Sequence, residues 1–435
     1  YFEDPENYKD LKKGCQRVSE AINNRENIIV YGDYDVDGVT SISQFMVLLK
    51  RAGAIIDYYV PERESEGYGI STAFIEGLKS DSIKADLIIT VDCGIAETEK
   101  ISIIKSLNKD VIILDHHQCN DVIPNAFAVI NPKQKDCPSK NKNLCAAGLS
   151  FKFLTYLNKF LKIEDVEDVL LELACLGTIA DIVELKGDNR IIAKNGLTKI
   201  NKTKITGLKK LMEVSGIAGK VIESYHIGFI IAPRINAAGR MDTAKKAVRL
   251  MLETDEIEAE HLALELESLN LLRKQAEGII FEEAVNNIET NFLYKKNIIV
   301  VAGENWHEGV LGIVASKLTE KYEKPSIVIS LKDGVGKGSA RSLVYIDIFQ
   351  AFKSADRYLV KYGGHKLAAG LTILEKDINA FANELNNYIQ SEGIPDCREV
   401  ELDAYVDVGD IGFRLYNEIC RFEPFGAGNP KPVLA

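Results

Sequence analysis

The chain has 435 residues, 46% hydrophobic and 27% charged, with a formal net charge of −11. That length can supply two or three domains with sizeable cores, and the composition is that of an ordinary soluble globular protein. No stretch approaches the ~20 unbroken apolar residues of a membrane helix, and the acidic balance argues against a nucleic-acid binder that uses its whole surface, though not against a locally basic groove.

In chain order, the apolar run 27–31 predicts a strand. It leads into Gly32-Asp33-Tyr34-Asp35-Val36-Asp37-Gly38, after which Ile42, Phe45, Met46 and Leu49 fall at helical spacing. Strand, acidic turn and helix make the βα unit of a parallel sheet. Residues 54–60 return as a strand. The run Leu87–Val91 ends in Asp92, and the run 111–114 ends in Asp115-His116-His117. As neighbouring parallel strands, these runs would share one carboxyl edge, where open α/β sheets place their sites. Pro124, Pro132 and Pro138 mark a loop-rich stretch, and 133–143 is polar enough to be exposed. A helical stretch at about 165–185, interrupted only by Gly177, carries Asp181 near its end.

Residues 254–290 hold no proline and a single glycine. Ile257, Leu264, Leu269, Leu272, Ala276, Ile280 and Ile288 lie among glutamates there. They predict a helix of roughly 35 residues, about 50 Å long at ~1.5 Å per residue, joining two lobes and leaving a cleft between them. A second α/β lobe follows, with strands at 297–302, 326–331, 334–342 and 367–374 and helices at 310–322 and 377–390. The character changes from Glu401, and 423–430 is turn chemistry. The eight cysteines (Cys15, Cys93, Cys119, Cys137, Cys145, Cys175, Cys397 and Cys420) lack the paired short spacing of zinc sites. They read as free thiols of a reducing cytoplasm. No signal peptide is visible. A chain that opens on Tyr1 and stops at Ala435 within structured sequence reads as a piece of a longer protein.

Carboxylates with an occasional imidazole suit Mg2+ or Mn2+. Asp35 and Asp37 share a side of an extended chain. Acids gathered at one edge repel one another unless cations hold them together. Two ions about 4 Å apart activate water and stabilise a leaving oxygen in phosphoryl chemistry. Asp92, at a second strand end, is a natural bridge, and His116 could complete one shell. A lone Asp at a strand end is more often a cap or a turn residue; three alternating acids followed by two further acidic strand ends are not accounted for in that way. A calcium loop of the EF-hand type fails, because Gly38 follows the third acid directly and no Glu stands at the twelfth position.

Gly-Asp-Tyr-Asp-Val-Asp-Gly at 32–38, Val-Asp-Cys-Gly at 91–94, Asp-His-His at 115–117 and Gly-Thr-Ile-Ala-Asp at 177–181 resemble the four motifs of the Asp-His-His (DHH/DHHA1) phosphoesterase superfamily. Gly-Gly-His-Lys-Leu-Ala-Ala-Gly at 363–370 resembles the glycine-rich motif of its second domain. Ala-Pro-Arg-Ile-Asn-Ala-Ala-Gly-Arg-Met at 232–241, Trp-His-Glu-Gly-Val at 306–310 and the late Pro-Phe-Gly-Ala-Gly-Asn-Pro narrow the resemblance to the superfamily's single-strand-specific DNA exonucleases, over nearly the whole chain.

The resemblance implies an α/β chain of two lobes. A parallel-sheet DHH catalytic domain (1–250) is joined by a long helix (251–292) to a smaller DHHA1 nucleic-acid-binding domain (293–400). The start of an oligonucleotide-binding (OB) barrel follows at 401–435. It implies that Asp35, Asp37, Asp92, His116 and Asp181 ligate two divalent cations, Mn2+ or Mg2+, with Asp33 a ligand or a supporting acid. Tyr31 stands where the small-substrate pyrophosphatase branch has a histidine, and Asp33 is the candidate to replace it. His117 would hold the scissile phosphate or protonate the leaving oxygen.

In the second lobe, Gly363 and Gly364 would let backbone N–H groups approach a phosphate, while His365, Ser339 and Arg341 add donors. Arg234, Asn236 and Arg240 would lie between the lobes near the metals. Trp306 either packs in the core or lines the cleft with His307. Lys332, Lys337, Lys361 and Lys366 would form an electropositive wall. The implied activity is 5′-to-3′ hydrolysis of single-stranded DNA to mononucleotides in repair and recombination, with duplex excluded by cleft width. The implied partners are single-stranded DNA, a single-strand-binding protein and a helicase, with no membrane. Alternatives are a phosphodiesterase of the same superfamily acting on oligoribonucleotides or cyclic dinucleotides, or a catalytically inactive replication scaffold.

Overall fold

The computed structural model describes residues 1–63, 65–392 and 401–435, so Cys397 lies outside the described residues. Two units emerge: Tyr1–Asn270 with Leu402–Ala435, and Leu271–Glu401.

The first unit begins α1 (Leu11–Asn23), β1 (Asn27–Gly32), α2 (Val36–Arg51), β2 (Ile55–Tyr59), α3 (Thr72–Lys79), β3 (Leu87–Val91), α4 (Thr98–Ser106), β4 (Asp110–Leu114) and β5 (Ala128–Ile130). The strands form a five-stranded sheet in the order β2-β1-β3-β4-β5, with every pair parallel. Both faces of the sheet are covered, which explains why its strands read as continuous apolar runs. Ile28, Val30, Leu87, Ile89, Val91, Ile112 and Leu114 pack with α2 on one side. Their neighbours Ile29, Tyr31, Ile88, Val111 and Ile113 pack with α3 and α4 on the other. The chain leaves β1 toward β2 and returns to β3 on β1's other side. The carboxyl ends of β1 and β3 therefore flank the crevice where strand order reverses.

The unit continues with α5 (Ala146–Leu161), α6 (Glu167–Ala180), α7 (Gly187–Ile200), α8 (Thr206–Val214), α9 (Ser224–His226), a π-helical turn (Ile227–Ile231), α10 (Ala232–Met241) and α11 (Lys245–Leu252). The helix expected at about 165–185 stops at Ala180, and Asp181 is its C-cap rather than an internal residue. Gly177 does not interrupt it. There α6 presses so closely on its neighbours that a Cβ would stand 2.4 Å from Ala147 Cβ and 2.8 Å from Asp37 Oδ1. Residues 133–143, expected to be exposed, are exposed only in part: Gln134, Cys137 and Ser139 are buried, and Gln134 donates to the carbonyl of Val129 at 2.7 Å. The three-residue strand β5 was too short to read as a periodic run.

A single helix, α12 (Glu256–Thr290), runs from the first unit into the second. The second unit holds β6 (Ile299–Glu304), α13 (Leu311–Tyr322), β7 (Ser326–Lys332), β8 (Val335–Arg341), α14 (Ile348–Ser354), β9 (Leu359–His365), β10 (Ala368–Leu374) and α15 (Ile378–Glu392). Its sheet order is β6-β7-β8-β10-β9, with β6 and β7 parallel and the remaining pairs antiparallel. Strand β9 was not among the expected strands; Gly363 and Gly364 lie within it and pair with β10. Trp306 is buried, with Nε1 donating to Glu283 at 2.7 Å, so of its two expected roles it takes the packing one.

The last segment, which includes α16 (Phe413–Cys420), packs on the first unit. Leu185 N–H donates to the Ala427 carbonyl at 2.7 Å, and Ser224 Oγ donates to the Phe425 carbonyl at 2.7 Å.

Candidate metal centre

Three strand ends and one helix end of the first unit deliver acids to one place. Past β1, Asp35 caps α2 by accepting from Gly38 N–H at 3.1 Å. Asp37, in the first turn of α2, accepts from Ala146 N–H and Ala147 N–H, both at 2.7 Å. Those amides open α5, so a helix N-terminus faces the carboxylate. Asp92 follows β3 in the left-handed region, φ 61°. His116 follows β4 and brings Nε2 to 3.1 Å from Asp92, 3.7 Å from Asp37 and 3.7 Å from Asp181. Asp115 does not face these groups. It accepts from Ile95 N–H at 2.9 Å and holds His117 through Nδ1 at 2.8 Å.

The geometry yields three overlapping ligand sets: Asp33, Asp35 and Asp92; Asp37, His116 and Asp181; and Asp92, His116 and His117. Asp92 and His116 each belong to two sets, the arrangement expected of neighbouring cations with shared ligands.

The electrostatics favour cations strongly. Burial, reinforced by Asp35, pushes Asp33 up to about 8 and Asp37 up to about 7. Burial, reinforced by Asp37, pushes Asp181 up to about 8, and burial reinforced by the neighbouring acids pushes Asp92 well above the carboxylate range. These carboxyls cannot all be ionised side by side without positive charge between them. Asp33 Oδ1 is buried with no hydrogen-bond partner, which a cation would satisfy. Burial, then the charge on His117, lowers His116 to about 3 and keeps its imidazole neutral, as a ligand nitrogen must be. Burial opposes protonation of His117 too, but its bond to Asp115 outweighs that and raises it to about 9. The donor set fits Mn2+ or Mg2+.

The remaining expected site residues belong to none of these ligand sets. Asn236 supports it from α10, where its Oδ1 accepts from Val36 N–H at 3.1 Å. Arg240 lines a cavity of about 220 Å³ together with Arg63, whose guanidinium lies 5.1 Å from the Tyr34 ring centre. Arg234 departs from the expected nucleic-acid role. It is buried, its Nε is bound to Glu267 and its Nη1 donates to the Ile230 carbonyl at 2.7 Å. That guanidinium is committed to packing α10 against α12.

His307, Ser339, Arg341, Gly363, Gly364 and His365 belong to the second unit. His307 Nδ1 accepts from Gly309 N–H at 3.1 Å. Ser339 pairs across to Gly370, which pairs to Gly363, and Arg341 pairs to Ala368, which pairs to His365. Directly paired residues share a sheet face, so Ser339, Arg341 and His365 stand on one side around a glycine floor. Lys337 and Lys361 flank the same rows at Thr372. Gly364 lies in the alternate row, on the opposite face with Ala369 and Ala340, and a side chain is excluded there as well: its φ is 149° and a Cβ would lie 2.4 Å from the Ala368 carbonyl.

Arg63, Tyr68 and the supporting role of Asp115 escaped sequence reasoning. The pair Gly67 and Gly69 around a lone tyrosine was the available signal for Tyr68.

Residues 27–178 match the DHH family, N-terminal domain, and residues 295–391 match the DHHA1 domain. The single-stranded-DNA-specific exonuclease RecJ of Escherichia coli (strain K12) is 33% identical over 446 residues, covering 98% of this chain and 77% of the relative. The chain belongs to the RecJ family. RecJ of Bacillus subtilis (strain 168) is 38% identical over 439 residues, 99% of this chain and 54% of that protein. The crystal structure of RecJ in complex with Mn2+ from Thermus thermophilus superposes with a TM-score of 0.86 at 32% identity, over 98% of this chain and 61% of that one. The chain thus spans between half and two thirds of the Bacillus and Thermus proteins. None of its helices among the described residues is long and apolar enough to cross a membrane.

Proposed function

We propose that the chain is a single-stranded-DNA-specific exonuclease that hydrolyses phosphodiester bonds with two divalent cations, Mn2+ or Mg2+. The observation that carries this reading is the adjacency of the ligand sets Asp33–Asp35–Asp92 and Asp37–His116–Asp181, which a third set joins through Asp92 and His116, 3.1 Å apart. The names of its RecJ relatives and the Mn2+ complex of the Thermus protein support the same reading.

Bound cations would polarise the attacking water and neutralise charge on the scissile phosphate. The chain's own groups do the rest. Two helix amides fix Asp37 in one rotamer. Neutral His116 offers a nitrogen lone pair. Asp115 keeps His117 protonated, so that it can hold the phosphate or give its proton to the departing oxygen. Arg63 and Arg240 offer forked donors for a phosphate beside the acids. In the second unit, Ser339, Arg341, His365 and the glycine floor grip backbone phosphates without reading bases.

Family membership supports 5′-to-3′ polarity, a role in repair and recombination, and a single-strand-binding protein and a helicase as partners. A reducing cytoplasm suits its cysteines, which are all free among the described residues. Digestion of 5′-labelled single-stranded DNA with Mn2+ tests the reading. The wild type should release labelled mononucleotide, and Asp92→Ala should lose at least ~10³-fold in rate. Preference for short RNA over DNA would move the reading to the oligoribonuclease branch, and equal rates in the two proteins would end it.

A further inference from the structure

Tyr68 belongs to none of the ligand sets, yet its hydroxyl reaches two of their members. It donates to the Asp92 carbonyl at 3.2 Å. The hydroxyl oxygen also lies 3.2 Å from His117 Nδ1 and 3.5 Å from Nε2, with the two rings crossing at 71°. A hydroxyl has one proton, and a carbonyl can only accept. The proton therefore goes to Asp92, and the oxygen's lone pairs face the edge of the His117 ring. Asp115 takes the Nδ1 proton from the other side at 2.8 Å.

Asp92 is where such a bond matters. Its φ of 61° is unfavourable for a residue with a side chain and persists only if its surroundings over-determine it. Its N–H is tied to the Leu114 carbonyl at 3.0 Å, and Tyr68 ties its carbonyl. With both flanking peptides held, the carboxylate stays between the two cation positions.

The loop that carries Tyr68 is itself anchored. Gly67 and Gly69 both have positive φ, 77° and 83°. Tyr31, fully buried, donates to the Gly69 carbonyl at 2.8 Å and accepts from Ser71 N–H at 3.0 Å. The side chain at position 31 thus clamps the loop instead of offering a ligand.

We propose that Tyr68 is a positioning residue: its hydroxyl locks the strained Asp92 peptide, and through it the shared carboxylate, while bracing the His117 ring. This rests on the metal-centre reading above. The test is Tyr68→Phe, which keeps the ring and deletes only the hydroxyl. Partners of this kind are worth about 10–100-fold in metal affinity or activity. Mn2+ titrated into the DNA-free protein should bind about 10-fold more weakly, and kcat on single-stranded DNA should fall about 10–100-fold with KM within about twofold. The melting temperature without metal should stay within ~2 °C of wild type. Wild-type Mn2+ affinity, a raised KM with kcat unchanged, or a clear loss of melting temperature would each overturn the proposal. Because Mn2+ binding is read without substrate, a wild type inactive on DNA would sink the exonuclease reading and leave this one to be decided separately.

Discussion

The carboxyl edge of the first sheet and the open face of the second handle charge in opposite ways. At the edge, Asp33, Asp37 and Asp92 are buried, crowded and of one sign, so their environment strongly penalises ionisation. On the second sheet, Lys361, Gly363, His365 and Gly370 are exposed, and solvent screens whatever approaches. Under the proposed function the first region, costly to leave uncompensated, is suited to chemistry, and the second to holding the strand. Substitutions at the edge should therefore act on kcat and metal binding, and those on the face on KM and its salt dependence.

The largest test of that division is Gly177→Val. It places carbon atoms where a Cβ alone would come within 2.8 Å of Asp37 Oδ1. We expect Mn2+ binding to be lost and kcat to fall by more than ~10²-fold, with overpacking costing about 1–3 kcal/mol in urea unfolding. Unimpaired Mn2+ binding would show that the contact between α6 and Asp37 does not shape the centre. Arg341→Ala is milder. KM for single-stranded DNA should rise about 3–10-fold with kcat kept, and the slope of log affinity against log salt should shrink by roughly one charge. A kcat defect there would break the comparison.

The smallest expected effect is on stability against pH. Asp33, Asp37 and Asp181 hold protons up to about 8, 7 and 8 in the fold, against about 4 in an unfolded chain. Between those values the folded state binds more protons, so metal-free stability falls as pH rises from about 4 to 8. His117, raised to about 9, works the same way, since its stabilising contribution is lost as pH climbs through that value. Melting with a chelator should drop by more than ~4 °C from pH 5 to 8, and Mn2+ should erase the drop. A chelated protein that grows more stable over that range would remove the electrostatic half of the comparison.

How much of this could be read from the sequence follows the same divide. Asp33, Asp35, Asp92 and His116 were visible because each stands at the end of an apolar run. Strand period and sheet topology then place such ends together. The two α/β units and the long helix were visible for the same reason. Arg234 could not be told apart from Asn236 and Arg240 because all three share one motif, and only the fold reveals Glu267 as its partner. Strand β9 was missed because Gly363 and Gly364 lie inside it, and glycine is rare inside strands. Tyr68 was missed because its target is a backbone carbonyl 24 residues away, and backbone groups leave no mark on sequence pattern.

The pair of amides that Ala146 and Ala147 direct at Asp37 has a practical consequence. Both donors are backbone groups, so exchanging the side chains at 146 and 147 removes neither bond as long as α5 stays helical.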